Sequence, residues 1–205
     1  MSRLLAVGDI HGCRDKLVGL MASVNPQRGD TIVFIGDYID RGPDSPGVVE
    51  YLLNLQQKCT PVFLLGNHEQ MLLKFIDERD TMFLNFGGEA TLSQYMTSAY
   101  KGIPRHHMDF FRSLPPWHET EHHIFVHAGL RPQIPLQEQT TNDMLTIRDE
   151  FYLSSYSWGK TVVTGHTPVR SPLIEPDRIR LDTGAVYGGP LTCCDVVTGH
   201  VWQTS

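Results

Sequence analysis

The chain has 205 residues, of which 40% are hydrophobic and 20% charged, and its formal net charge at pH 7 is −6. This length and balance are typical of one globular domain spanning residues 1–205, with a core that needs no disulfide or structural-metal staple. The negative charge disfavours a non-specific nucleic-acid binder, which carries a basic stripe. No apolar run reaches the ~20 residues of a membrane-spanning helix, and no signal-peptide pattern precedes the first strand. We therefore expect a cytoplasmic protein with neither nucleic-acid nor membrane partners.

The first 80 residues repeat a short apolar strand, a glycine-led polar loop and an amphipathic helix. Strands are predicted over residues 4–7, 31–35 and 62–65, and a helix is expected from about residue 69 to 80. Helical spacing of apolar residues follows the first two strands, at Leu17, Leu20, Met21 and Val24 and at Val48, Tyr51, Leu52 and Leu55. Alternating strands and helices predict a parallel sheet, whose ligands gather beyond the carboxyl ends of the strands.

The rest of the chain is less regular. Residues 82–117 are predicted to be mostly helical, with a second helical stretch near residues 105–114. Short apolar strands at 124–126 and 161–164 each run directly into a motif that contains a histidine. Strands and turns then alternate over residues 179–203. No linker or low-complexity segment interrupts the chain, which again favours a single domain.

Five short motifs rich in acidic residues and histidine stand where apolar runs stop. They are GDIHG (residues 8–12), GDYIDRG (36–42), GNHE (66–69), HAGL (127–130) and GHT (165–167). A single Gly-Asp after a strand is typical of a turn, and a lone strand-end histidine is typically structural. Five separate turns that all offer oxygen or imidazole ligands indicate one shared site, of the kind that binds two metal ions for hydrolysis.

The ligand chemistry suggests a role for each residue. Asp9 and His11 alternate, so a turning backbone can aim both at one ion. Asp37 is the candidate bridge, because the two oxygens of a carboxylate can each bind one ion. The candidates for the second ion are Asn67, His127 and His166. Mixed nitrogen and oxygen ligation without thiolates suits two divalent metal ions, with manganese preferred and iron or zinc as alternatives.

A general acid and cationic clamps are also available. His68 follows Asn67 directly and can face the substrate as a general acid, with Asp40 as the carboxylate partner that raises its pKa. Arg41 can clamp an anionic oxygen in bidentate fashion, and Arg148 is a possible second clamp.

Together, the motifs resemble the signature set of the calcineurin-like metallophosphoesterases, specifically the PPP-type serine/threonine protein phosphatases of the bacterial and bacteriophage lambda-like branch. The resemblance runs from Leu4 to about Gly189. It implies an α/β fold, a four-layer α/β/β/α sandwich of the metallo-dependent phosphatase type. By motif match, the first ion would be bound by Asp9, His11 and Asp37, and the second by Asp37, Asn67, His127 and His166. His68 with Asp40 would be the acid pair, and Arg41 and Arg148 the phosphate clamps.

The substrate is harder to predict. The resemblance implies a phosphorylated protein or peptide, hydrolysed at phosphoserine or phosphothreonine by metal-activated hydroxide. The alternative is a symmetrical diadenosine tetraphosphate hydrolase, because residues 182–189 resemble the corresponding stretch of both enzymes. Residues 87–91 and 105–114 are expected to wall the groove, with Phe83, Phe86 and Tyr95 available to stack on a base. Lysine and arginine are sparse there, which favours the phosphoprotein. A catalytically silent phosphate-binding scaffold is disfavoured by the full set of candidate ligands.

Overall fold

The computed structural model describes residues 2–97 and 99–204. Two five-stranded sheets lie face to face, and helices cover the outer side of each. The predicted α/β class and four-layer sandwich are confirmed. Within the described ranges, no helix is long and apolar enough to cross a membrane.

The first sheet joins the beginning of the chain to its end. In spatial order its strands are β10 (Val201–Gln203), β9 (Thr192–Asp195), β1 (Leu4–Val7), β2 (Thr31–Phe34) and β3 (Thr60–Phe63). The pairs β1–β2 and β2–β3 are parallel, whereas β9 runs antiparallel to both β1 and β10. Side chains alternate along β1, so that Leu5 and Val7 face the helices while Ala6 faces the second sheet.

The second sheet is built from the intervening part of the chain. In spatial order its strands are β4 (Trp117–Glu119), β5 (His123–Val126), β6 (Thr161–Thr164), β8 (Arg178–Arg180) and β7 (Leu173–Ile174). The central strands β5, β6 and β8 are parallel, and β4 and β7 are antiparallel edges. Phe125 and Val163 pack with Ala6 and Val33 of the first sheet in a buried layer between the sheets.

Helices form the two outer layers. They are α1 (Arg14–Val24), α2 (Ser45–Asn54), α3 (Asn67–Glu78), α4 (Glu89–Tyr95), α5 (Arg105–Ser113), α6 (Thr141–Thr146) and α7 (Asp149–Tyr152). Buried residues of α1, α2, α3 and α5 pack on the first sheet, and those of α6 and α7 pack on the second. A π-helical segment, Leu84–Gly88, precedes α4. Helix α3 begins at Asn67, two residues before the predicted start, with Gly66 as its N-cap.

Candidate active site

The predicted metal ligands all follow parallel strands, whose carboxyl ends bring them to one edge of the sandwich. Several of these loop residues adopt the left-handed backbone region, with φ of 45° at His11, 54° at Asp37 and 63° at His166. Residues other than glycine rarely adopt this region, and such strain concentrates at functional sites. The loops also approach closely: a Cβ on Gly36 would lie 2.7 Å from backbone atoms of Gly66. Tight loop packing thus holds the ligands together.

One group of metal-competent atoms lies around His127. Its Nε2 lies 2.9 Å from Oδ1 of Asn67, 3.1 Å from Nδ1 of His166 and 3.4 Å from Oδ2 of Asp37. Nδ1 of His127 lies 2.8 Å from the carbonyl oxygen of Ile35 and donates to it, so Nε2 faces the other ligands.

This group favours a positive charge. Burial alone would lower the pKa of His127, but the carboxylates of Asp37 and Asp9 and the hydrogen bonds of the ring outweigh burial and raise the pKa to about 10. The carboxylates that stabilise a proton on His127 would also stabilise a metal ion beside it. Nε2 of His166 is buried and has no hydrogen-bond partner among the described residues, which leaves its Nδ1 as the nitrogen turned toward the group.

A second group contains His11, Asp37 and His68, with one ligand atom from each lying within 4.8 Å of the others. Nε2 of His11 lies 3.4 Å from Oδ2 of Asp37, and its Nδ1 donates to the carbonyl oxygen of Ile39 at 2.8 Å. Oδ2 of Asp37 is therefore 3.4 Å from an imidazole nitrogen in each group. A carboxylate shared by both groups is positioned to bridge two ions.

Asp9 belongs to neither tight group. Its carboxylate instead accepts from the backbone N–H of His166, at 3.1 Å to Oδ1 and 3.0 Å to Oδ2. Burial, followed by the nearby Asp182 and Asp37 carboxylates, raises the pKa of Asp9 well above its ordinary value. Three crowded, buried acidic groups call for a neutralising cation, and the donor set of carboxylates, imidazoles and one amide fits a pair of divalent ions.

The predicted acid pair is in contact. Nδ1 of His68 lies 2.6 Å from Oδ2 of Asp40, and both residues are buried. The expectation that the carboxylate raises the pKa of His68 is wrong: burial lowers that pKa to about 4 and raises the pKa of Asp40 to about 8. These opposed directions favour a neutral imidazole beside a protonated carboxyl group, joined by the hydrogen bond between Nδ1 and Oδ2. Nε2 of His68 lies 3.9 Å from Oδ2 of Asp37, on the metal side.

Two residues without a predicted role hold the site in place. The hydroxyl of Thr91 donates to Oδ1 of Asp40 at 2.6 Å. The carboxylate of Glu69, fully buried, accepts from four backbone N–H groups in the loops that carry the ligands. These belong to Asp37, Tyr38, Ile39 and Gly66, at 2.8–3.3 Å. Glu69 is the last residue of the GNHE motif, and that position was the sequence signal for a role in the site. Thr91 had no such signal beyond its place shortly after Gly87 and Gly88.

The predicted clamps both line a cavity of about 350 Å³ beside the ligands. Nη1 of Arg41 donates to Nε2 of His11 at 2.7 Å, and its guanidinium carbon lies 5.7 Å from the ring centre of Tyr187. Nη1 of Arg148 donates to the hydroxyl of Thr167 at 3.1 Å. The structure thus places both arginines at the site.

The cavity wall differs from the predicted one. Neither of the two predicted wall stretches, residues 87–91 and 105–114, lines the cavity. Helix α5 packs into the helical layer instead. Phe83 and Tyr95 are buried at 0% and 1% exposure, whereas Phe86 is 47% exposed and lines the cavity. Lys74 of α3 also lines the cavity. The expectation that cations are scarce there considered only the middle segment, which begins after Lys74.

Comparison with known proteins shows the family of the chain. The calcineurin-like phosphoesterase family matches residues 2–201, so the chain belongs to that family. Members use divalent metal ions.

More specific relatives match more than nine-tenths of the chain. The asymmetrical bis(5′-nucleosyl)-tetraphosphatases PrpE of Geobacillus sp. (strain WCH70) and Bacillus subtilis (strain 168) are 28% and 27% identical, and each alignment covers 91% of this chain and 87% of the relative. A solved protein assigned as a diadenosine tetraphosphatase is 30% identical with a TM-score of 0.80, over 98% of this chain and 92% of that one. A cold-active protein-tyrosine phosphatase of a Shewanella species shares the fold, at 17% identity and a TM-score of 0.71 over 99% and 80% of the two chains.

These relatives correct the expected partner. A phosphorylated protein or peptide as substrate is wrong, because the curated relatives are named for dinucleoside tetraphosphates. The phosphoprotein was favoured because lysine and arginine are sparse in the middle segment, whereas in the folded chain Lys74 supplies a cation to the same cavity as Phe86.

Proposed function

We propose that this chain hydrolyses bis(5′-nucleosyl) tetraphosphates asymmetrically, releasing a nucleoside triphosphate and a nucleoside monophosphate. The symmetrical cleavage considered from the sequence is replaced because the PrpE relatives are named as asymmetrical enzymes. The observation that carries the proposal is the cavity itself: one space is lined by ligands of both groups, both arginines, a further lysine and an exposed aromatic ring.

The metal centre would be held by the predicted ligands. Asp37 would bridge, with Asn67, His127 and His166 on one ion and Asp9 and His11 on the other. When bound, two divalent ions would activate water and polarise the phosphoryl oxygens. Manganese is the preferred metal for both positions, with iron or zinc as alternatives, because the donor atoms are nitrogen and oxygen and include no thiolate.

The other side chains would act on the substrate directly. Arg41 and Arg148 would bind the non-bridging oxygens of the phosphate under attack, because guanidinium groups pair with phosphate in bidentate fashion. His68 would give the proton from Nε2 to the oxygen that leaves, while Asp40 holds its Nδ1. Water adds to phosphorus, the phosphoanhydride bond next to one nucleoside phosphate breaks, and the nucleoside triphosphate departs.

The test compares rates on diadenosine tetraphosphate, a phosphoserine peptide and p-nitrophenyl phosphate under identical manganese. We expect the highest kcat/KM on the dinucleotide, with triphosphate and monophosphate products separated by anion-exchange chromatography. Two diphosphates as products would contradict the asymmetrical mode. Faster turnover of the peptide would contradict the substrate class.

A further inference from the structure

Helix α3 connects the metal ligands to the outer part of the cavity. Asn67, Gln70, Met71 and Lys74 all line it, at positions i, i+3, i+4 and i+7 of the helix. This spacing places them on one helical face. Seven residues of helix span about 10 Å, so Lys74 stands that far along the helix from the ligand Asn67.

A cation at that distance is not needed for the phosphate that reacts. Lys74 is exposed, and its ammonium has no carboxylate of the described residues within 4.0 Å. Asp80 lines the same cavity, and its Oδ1 accepts from the backbone N–H of Met82 at 2.9 Å rather than from Lys74. Lys74 is thus free to pair with an anion that extends outward from the metal centre.

The aromatic ring near this lysine is displayed by a local irregularity of the chain. Phe86 lies in the π-helical segment Leu84–Gly88, and such segments often occur at functional sites. Gly87, with φ of 98°, packs against Arg41: its carbonyl oxygen accepts from the Arg41 backbone N–H at 3.2 Å. This contact fixes the segment beside the phosphate clamp while Phe86 remains 47% exposed.

The lysine and the ring are held by one packed pair. The rings of Phe75 and Phe83 lie 5.5 Å apart, which joins α3 to the segment leading into the π-helical turn. Lys74 is next to Phe75 in the chain, and Met82, 53% exposed, is next to Phe83. The buried Phe83 and the partly buried Phe75 are thus each next to a side chain that lines the cavity, and their contact joins the two parts of the cavity wall.

We propose that Lys74, Met82 and Phe86 form a subsite for the nucleoside triphosphate arm of the substrate. Lys74 pairs with the phosphates beyond the scissile one, and the base stacks on Phe86 with Met82 at its edge. This inference rests on the proposed function and deepens it, because it names which arm of an asymmetrically cleaved substrate lies along α3.

The test uses the ratio of kcat/KM for diadenosine tetraphosphate to that for p-nitrophenyl phosphate, which carries no second phosphate and no base. We expect Lys74→Met and Phe86→Ala each to lower this ratio about tenfold, within the range for loss of a base-stacking residue. Phe86→Tyr keeps an aromatic face and should retain the ratio. Lys58→Met, an exposed lysine outside this cavity, is the matched control. An unchanged ratio in Lys74→Met and Phe86→Ala would overturn the subsite and leave the proposed function standing.

Inhibition separates the subsite from the reaction. Adenosine triphosphate and inorganic tripolyphosphate are used as competitive inhibitors of p-nitrophenyl phosphate hydrolysis, with manganese in excess. Lys74→Met should weaken both about tenfold, and Phe86→Ala only the nucleotide. If the wild type cleaves no dinucleotide but the two variants weaken the inhibitors as expected, the proposed function fails and the subsite holds. Equal weakening of both inhibitors by Phe86→Ala would contradict base stacking.

Discussion

Nδ1 of His68 lies 2.6 Å from Oδ2 of Asp40, and the two side chains are 1% and 0% exposed. In the proposed mechanism this pair holds one proton, and Nε2 of His68, 3.9 Å from Oδ2 of Asp37, would be the atom that delivers it.

Replacing His68 should separate proton delivery from metal binding. His68→Ala should lower kcat by roughly 10²–10⁴ on an alkyl phosphate, whose leaving oxygen needs a proton. The loss on p-nitrophenyl phosphate should be smaller, since that oxygen leaves without one. Metal content, measured by elemental analysis, should stay at the wild-type value. Loss of metal, with full rate restored by high manganese, would show that His68 is a ligand instead.

Thr91 should tune the basic limb of the pH profile. Burial raises the pKa of Asp40 to about 8, while the hydrogen bond from Thr91 opposes this by stabilising the carboxylate. The acid pair keeps its proton below that pKa and loses it above, so kcat should fall as pH rises through about 8. Thr91→Val removes the opposing hydrogen bond and should move this fall to higher pH, by roughly one unit. Thr91→Ser keeps the hydroxyl and should leave the profile in place.

Asp37 should control the number of ions bound. Asp37→Asn replaces a carboxylate that can bridge with an amide that offers one oxygen, so metal content should drop from about two ions to one or fewer, with activity lost. Elemental analysis and manganese titration give the measurement. Asp177→Asn, 49% exposed in its side chain, is the control and should bind as the wild type does. Full stoichiometry in Asp37→Asn would contradict the bridging role.

Glu69 should matter for both stability and metal affinity. In Glu69→Gln, the new NH₂ group would face backbone N–H donors that now point at a carboxylate oxygen. Buried donors left without partners should cost roughly 2–3 kcal/mol in the free energy of unfolding. The manganese Kd should rise roughly 10–100-fold, as for other residues that orient ligands. Glu78→Gln, on the exposed end of α3, should change neither quantity.

Strand-end motifs made much of this site predictable. The candidate ligands Asp37 and His127 could be placed near one another because parallel strands deliver their carboxyl ends to one edge, whatever the details of packing. The orientation of the Asp9 carboxylate could not be predicted in this way. Which carboxylate oxygen faces a neighbour depends on backbone donors such as the N–H of His166, far away in sequence.

The cavity wall was less predictable for a different reason. Phe83 and Phe86 are the same amino acid three positions apart, yet Phe83 is buried and Phe86 lines the cavity. That outcome depends on the π-helical turn and on the contact between Gly87 and Arg41, neither of which has a regular period. Lys74 was not predicted to line the cavity because it lies in the helix before the expected wall. Only the folded chain brings Lys74 and Phe86 to the same cavity.

The pairing of β1 with β9 has a consequence for how the protein is made. Leu5 lies opposite Asp195 in the same sheet, so the whole second sheet must be synthesised between the two strands that close the first. On the ribosome, Asp9, His11 and Asp37 emerge long before His127 and His166. A nascent chain therefore carries a partial set of ligands, and we expect stable metal capture to wait until the last strands have been added.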